Sequence, residues 1–220
     1  MSNTQADLQD QHLSSSSYVP GSHSQNTAPA SSSQAEPVKS KSAVSSSYEL
    51  NENNLEELVG RCFQGEPCEL KEDPWQLYLK LKSSGRTRAT DALLSYLRKE
   101  LRNPKYRDQF KDDLLKMIED FYPAQTQDFQ HAAYYYYLGD FNNSLDMYLK
   151  MEKAAAEDAN AFDPPKLNIA NDFYELHRWK EALVYYRKAL DEALSEKLRG
   201  PDQQTSIHFI QDRISEIERK

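Results

Sequence analysis

Apolar residues recur at three- and four-residue intervals along much of the chain, the spacing that gathers them on one side of a helix. Leu55, Leu58, Val59 and Phe63 predict a short first helix, broken by Gly65 and Pro67. Asp73-Pro74 predicts the start of a second, because Asp can cap the unpaired amides and Pro at the first helical position sacrifices no hydrogen bond. Trp75, Tyr78, Leu79 and Leu81 form its apolar flank, and Ser83-Ser84-Gly85 stops it. Ala89, Leu93, Leu94, Leu97 and Leu101 stripe a third helix that ends at Asn103-Pro104. Phe110, Leu114, Met117, Ile118 and Phe121 stripe a fourth, closed before Pro123. Beyond Gly200-Pro201, Ile207, Ile210, Ile214 and Ile217 line one side of a last helix whose other side is charged.

Between these lie two segments built alike. In one, Ile169, Ala170 and Phe173 precede the turn His177–Trp179, and Ala182, Tyr186 and Ala189 follow it. In the other, Ala132 and Tyr135 precede the turn Gly139-Asp140-Phe141, and Ser144 and Tyr148 follow it. Small residues stand where two helix backbones approach, large ones fill the space between neighbouring pairs, and Gly139 supplies a left-handed helix end at no steric cost. This pattern resembles the tetratricopeptide repeat (TPR), although Lys166 stands where the family has Trp, and no Pro closes the repeat. The copies are offset by slightly more than the family's ~34 residues, with the excess assigned to Ala155–Ala161. The resemblance implies an all-α solenoid of antiparallel helical hairpins, with the last helix capping its open end. The Trp75-led pair has the length of such a repeat, with its small residues one position out of register. The expected organisation is a tail at 1–47, a divergent helical region at 48–122, and two repeats plus cap at 123–220.

Composition changes this picture at the N-terminus. Residues 1–47 are dominated by Ser, Gln, Ala and Pro and hold too little apolar surface to offset ordering entropy, which predicts disorder. No run of eighteen apolar residues and no secretory leader occurs, so the expectation is a soluble chain. Cys62 and Cys68 are too few for a disulfide framework and lack zinc-spaced partners. They point to a reducing, cytoplasmic setting, with closure of a Cys62–Cys68 loop left open. The net charge of −8 hides an asymmetry: Lys80–Lys111 holds ten basic residues against three acidic, hence +7, leaving −15 for the remainder. Arg86, Arg88, Arg98, Lys99, Arg102, Lys105 and Arg107 form a candidate basic patch that either attracts an acidic partner or phosphate groups, or balances acidic helices of the same fold.

Catalytic chemistry is not indicated. There is no Gly-rich phosphate loop, no H-E-x-x-H, no G-x-S-x-G and no spaced metal cluster. His131 falls on an inward position and reads as a packed histidine. The expectation is a protein without cofactor or metal that binds another protein. In TPR stacks the leading helix of each repeat lines the concave surface. Carried over, this places Phe129, Ala133, Tyr136 and Tyr137 of one copy, and Leu167, Asn171 and Tyr174 of the other, in a tyrosine-rich groove for a peptide or helix. Tyr offers a rigid apolar face with a hydroxyl, and Asn171 could hold a peptide backbone through its amide. A carboxylate clamp of the cochaperone kind is disfavoured, because Phe129, Leu167 and Tyr174 stand where basic residues would be needed. Two other readings are a secretion-type chaperone holding an unstable client, and, more weakly, a nucleic-acid or phospholipid binder working through residues 80–111.

Overall fold

The computed structural model describes residues 47–195 and 201–220, and the expected disordered tail, residue 47 aside, lies outside them. Among the described residues the chain is mostly helical. The order is β1 (Tyr48–Leu50), α1 (Leu55–Phe63), β2 (Cys68–Leu70), α2 (Pro74–Ser83), α3 (Thr87–Glu100), α4 (Pro104–Phe121), α5 (Ala124–Leu138), α6 (Phe141–Glu157), α7 (Lys166–Glu175), α8 (Trp179–Ser195) and α9 (Pro201–Glu218). No helix among the described residues is long and apolar enough to cross a membrane.

The helix boundaries follow from local chemistry. Asp73 accepts a hydrogen bond from the Gln76 amide at 2.9 Å with Pro74 opening α2, and Asn103 accepts from the Lys105 amide at 3.1 Å with Pro104 opening α4. Gly139 ends α5 at φ 87°, and Asp140 then caps α6 through the Asn143 amide at 3.3 Å. The matching corner between α7 and α8 uses His177 at φ 57°, a left-handed conformation that costs a side-chain-bearing residue ~1 kcal/mol.

Each helix from α3 onward packs on the next. Two apolar cores result, one running from Leu50 to Tyr134 and one from Ala132 to Ile217, and α5 is the seam between them. Ala132, Ser144 and Tyr148 are buried, as are Ala170, Phe173, Ala182 and Tyr186 at the corresponding positions of the second segment. Tyr135 departs from this register. It was expected in the core slot, but Tyr134 is the sealed residue, 5% exposed, with its hydroxyl donating to the Lys111 carbonyl at 3.3 Å. The reason is that α5 touches α3 and α4 on one side and α6 on the other, so its apolar residues spread around its circumference instead of forming one stripe. A similar shift affects α2, where Leu77 joins Tyr78 and Leu81 in the core and Leu79 faces outward.

The region 48–122 is not wholly helical. β1 and β2 pair in parallel, Tyr48 opposite Cys68 and Leu50 opposite Leu70, with α1 as the connection between them. A disulfide joins Cys62 at the end of α1 to Cys68 in β2 across a Cα–Cα distance of 5.6 Å. Such bonds belong to oxidising surroundings, so the cysteines lend no support to the expected cytoplasmic setting. The bond also pins α1 to the strand pair, and α3 packs against α1 as well as against α2, so the expected α2–α3 repeat is absorbed into a wider N-terminal cluster.

Candidate functional site

The candidate surface is the partly exposed aromatic side of α5. Phe129, Ala133, Tyr136 and Tyr137 fall at i, i+4, i+7 and i+8, one side of a helix, and all four are half-buried. Phe129 meets Tyr148 at 5.9 Å and Phe162 at 5.3 Å, while Tyr136 meets Phe141 at 5.5 Å. Phe162, in the connection between α6 and α7, is 43% exposed and extends the aromatic surface outward. No sequence reading singled it out, because a lone Phe in a polar loop has no periodicity to place it.

The three residues expected from α7 do not join this surface, and each departure has a packing cause. Leu167 is 6% exposed and belongs to the second core. Asn171 is 8% exposed, and its amide oxygen accepts the Tyr186 hydroxyl at 2.8 Å, so the amide is committed within the fold. Tyr174 is covered by α9: Glu216 accepts its hydroxyl, Arg213 donates to that hydroxyl at 2.8 Å, and the Arg213 guanidinium lies 4.4 Å from the ring centre. Burial and the Glu216 carboxylate together push the Tyr174 phenol up to about 12. Lys220 closes the same corner, 3.7 Å from the centre of Trp179.

The basic segment does not assemble into one patch either. Arg86 reaches back to the Glu52 carbonyl and the Glu56 carboxylate, Lys99 donates to the Cys62 carbonyl at 2.7 Å, and Arg107 donates to the Leu101 carbonyl at 3.0 Å. Lys105 lies over Tyr106, and Arg88 stands exposed on the first turn of α3. Much of the positive charge thus ties the N-terminal helices to each other. Two members approach α5. Arg98 donates to Gln130, and the Arg102 guanidinium sits 4.9 Å from the Tyr136 ring centre and 5.3 Å from that of Tyr137.

A buried acid also went unread. Asp172 is 0% exposed between α6 and α7; its Oδ2 accepts the Ser144 hydroxyl at 2.8 Å, and its Oδ1 has no partner. Desolvation dominates its ionisation, with Glu175 adding to it and Ser144 opposing, and the carboxyl is pushed up to about 8. Its position three residues after Ile169, on the inward stripe, was the available signal. Nearby Lys166, also buried, bridges Asp163 and Glu152 in place of the Trp that the repeat pattern would put there. His131 is half-buried, with Nε2 3.9 Å from Glu119 and no hydrogen bond. Among the described residues no group of three or more His, Cys, Asp or Glu could hold a metal ion. No protein-family model matches the chain, nor does any curated protein or solved structure.

Proposed function

We propose that the chain is a non-catalytic protein-binding module, a TPR-like stack of helical hairpins that takes a peptide or helix of a partner along the partly exposed aromatic side of α5. The observation that carries this reading is the partly exposed aromatic strip Phe129, Ala133, Tyr136 and Tyr137, continued by exposed Phe162. Rigid aromatic side chains with one polar end are what partner-binding surfaces concentrate, because they contribute large contact area for little lost rotamer freedom. Asp172 and Glu100, the carboxyls held above their ordinary range, lie within the packing and not on this strip, which supports binding over acid–base work. In this reading α9 acts as the cap, offering Ile210 and Ile217 to the second core and its charges to water.

Affinity purification with the intact chain and with a Phe129→Ala, Tyr136→Ala, Tyr137→Ala form tests it. A partner held through this strip is lost from the triple variant, and each hot-spot ring removed costs about 1–3 kcal/mol, roughly tenfold or more in Kd. Equal retention of every partner by the two folded forms discards the strip as the binding surface.

A further inference from the structure

A cleft opens where the start of α2 meets α3 and α4, with about 280 Å³ of empty space counting the part open to water. Its base is apolar, formed by Leu97, Leu114 and Met117, all sealed in the first core. The rings of Trp75 and Phe110 line it as well, and both are only partly buried. Each ring is braced by a neighbour on its own helix. Tyr78 lies 5.7 Å from Trp75, and Tyr106 stacks on Phe110 at 5.5 Å with 7° between the planes. Asp73 and Asp113 bring two exposed carboxylates to the same cleft. Asp73 Oδ1 accepts the Gln76 amide in capping α2, which fixes that side chain in place. Asp113 meets Lys116 at 3.5 Å, a solvent-exposed pairing of the kind that contributes little. Among the described residues no Lys or Arg lines the cleft. Aromatic faces and carboxylates both attract positive charge, so the combination favours a cation with a flat or apolar body.

We propose that this cleft binds the guanidinium of an arginine side chain carried by a protein partner. A guanidinium is planar, stacks on aromatic rings and donates in a fork to carboxylates, and it gives up water more readily than an ammonium. It therefore uses the rings and the acids together, with the Gln109 amide oxygen as a further acceptor. Size points the same way. The cleft falls just below the ~300–1,000 Å³ of pockets that enclose a drug-sized molecule, which fits one side-chain end and leaves no room for a nucleotide. A hard divalent ion takes about six or more oxygen ligands, and two carboxylates beside apolar walls do not provide them. Phosphate groups of a nucleic acid would meet two like charges here. The cleft is built from α2, α3 and α4 alone, so it is separate from the aromatic strip of α5. The identity of the carrier rests on the protein-binding role proposed above, while the cation site itself does not.

Met117 provides a local readout. The full chain, with isotope-labelled methionine methyl groups, is titrated at low salt with acetylarginine methylamide and followed by NMR. The same titration is run with the lysine, citrulline and norleucine counterparts. The arginine compound is expected to shift the Met117 methyl saturably, while Met147 and Met151, which pack on the second core, stay in place. Citrulline, which keeps the shape and loses the charge, should bind about tenfold more weakly or worse, as should norleucine. Lysine should fall between. Asp73→Asn keeps a capping oxygen and Asp113→Asn lies at an exposed position, so the double variant should fold and bind the arginine compound about tenfold more weakly. No saturable Met117 shift by about 50 mM, equal binding of citrulline or norleucine, lysine binding as tightly as arginine, or unchanged affinity in the double variant overturns the site. Partners captured equally by the folded double variant and the intact chain overturn the protein carrier. If the strip variant Phe129→Ala, Tyr136→Ala, Tyr137→Ala keeps every partner while the arginine compound still binds, the α5 reading fails and the cation site stands. Partners lost from the strip variant with no arginine binding overturn the cation site alone.

Discussion

Replacing Asp172 with Asn should change how the stability of the fold depends on pH. The carboxyl is sealed between α6 and α7, one oxygen on Ser144 and the other without a partner, with Glu175 as the like charge acting on it. Its folded value of about 8 lies well above that of an unfolded Asp, about 3.9. The sign follows from proton counting: between those values the native state holds the proton and the unfolded state does not. The stability contribution is therefore complete below about pH 4 and is lost as pH rises through about 8. Each pH unit within the window costs about 1.4 kcal/mol, so from pH 6 to pH 8 the wild type should lose ~2 kcal/mol after allowing for half-ionisation at the upper end. Against a total of roughly 5–15 kcal/mol this is a large share. Asn resembles the neutral carboxyl in shape and cannot ionise. The variant should match the wild type to within ~1 kcal/mol near pH 5 and exceed it by ~2 kcal/mol or more near pH 9. Urea denaturation across this range reads the difference directly, and two parallel stability curves would refute the buried, protonated Asp172.

Gly139→Ala should cost ~1 kcal/mol in urea denaturation, because the new methyl group meets nothing within 4 Å and the penalty is confined to the φ of 87°. Reduction of Cys62–Cys68, or replacement of both by Ser, should lower stability by about 2 kcal/mol, the loop-closure value for so short a separation as 6 residues. An unchanged urea midpoint in the presence of a thiol reductant would count against the bond. Ile210→Ala, at a fully buried contact of α9, should destabilise by about 2–5 kcal/mol. It should also raise hydrogen exchange at the end of α7, where Tyr174 loses its cover, and unchanged exchange there would mean that α9 does not hold that corner.

Local chemistry was legible in the sequence where it acts over a few residues. Asp73-Pro74, Asn103-Pro104 and Gly139 do at the helix ends what their backbone preferences require, and Ile210, Ile214 and Ile217 of α9 join the second core as their spacing predicts. Contacts between distant residues were not legible. Two three-residue strands carry no period, and they pair across the whole of α1, with a disulfide joining its end to the second strand. Tyr174 satisfies the spacing of a groove residue, but α9, about forty residues later, supplies the Arg213 and Glu216 that cover it. The charge asymmetry of residues 80–111 was visible as a sum, while its destinations, carbonyls and carboxylates of α1 and α4 among them, are set only by folding.

The four consecutive tyrosines show how the seam between two cores comes to carry the aromatic strip. A helix turns about 100° per residue, so Tyr134, Tyr135, Tyr136 and Tyr137 cover nearly the full circumference of α5. A helix at the end of a stack could not bury such a run, but α5 has neighbours on opposite sides. Tyr134 fills the α4 side and keeps its hydroxyl satisfied by a carbonyl, and Tyr135 packs on the first core. Tyr137 packs on the first core as well, Tyr136 meets Phe141, and Arg102 from the α3–α4 corner lies over both rings. Phe in their place would give the same apolar contact there without a hydroxyl. Burial pushes both phenols above their ordinary value, while the nearby guanidiniums pull the other way. The contacts that close the seam therefore hold these two rings in place before any partner arrives, and preorganisation of that kind reduces the ordering cost of the proposed binding.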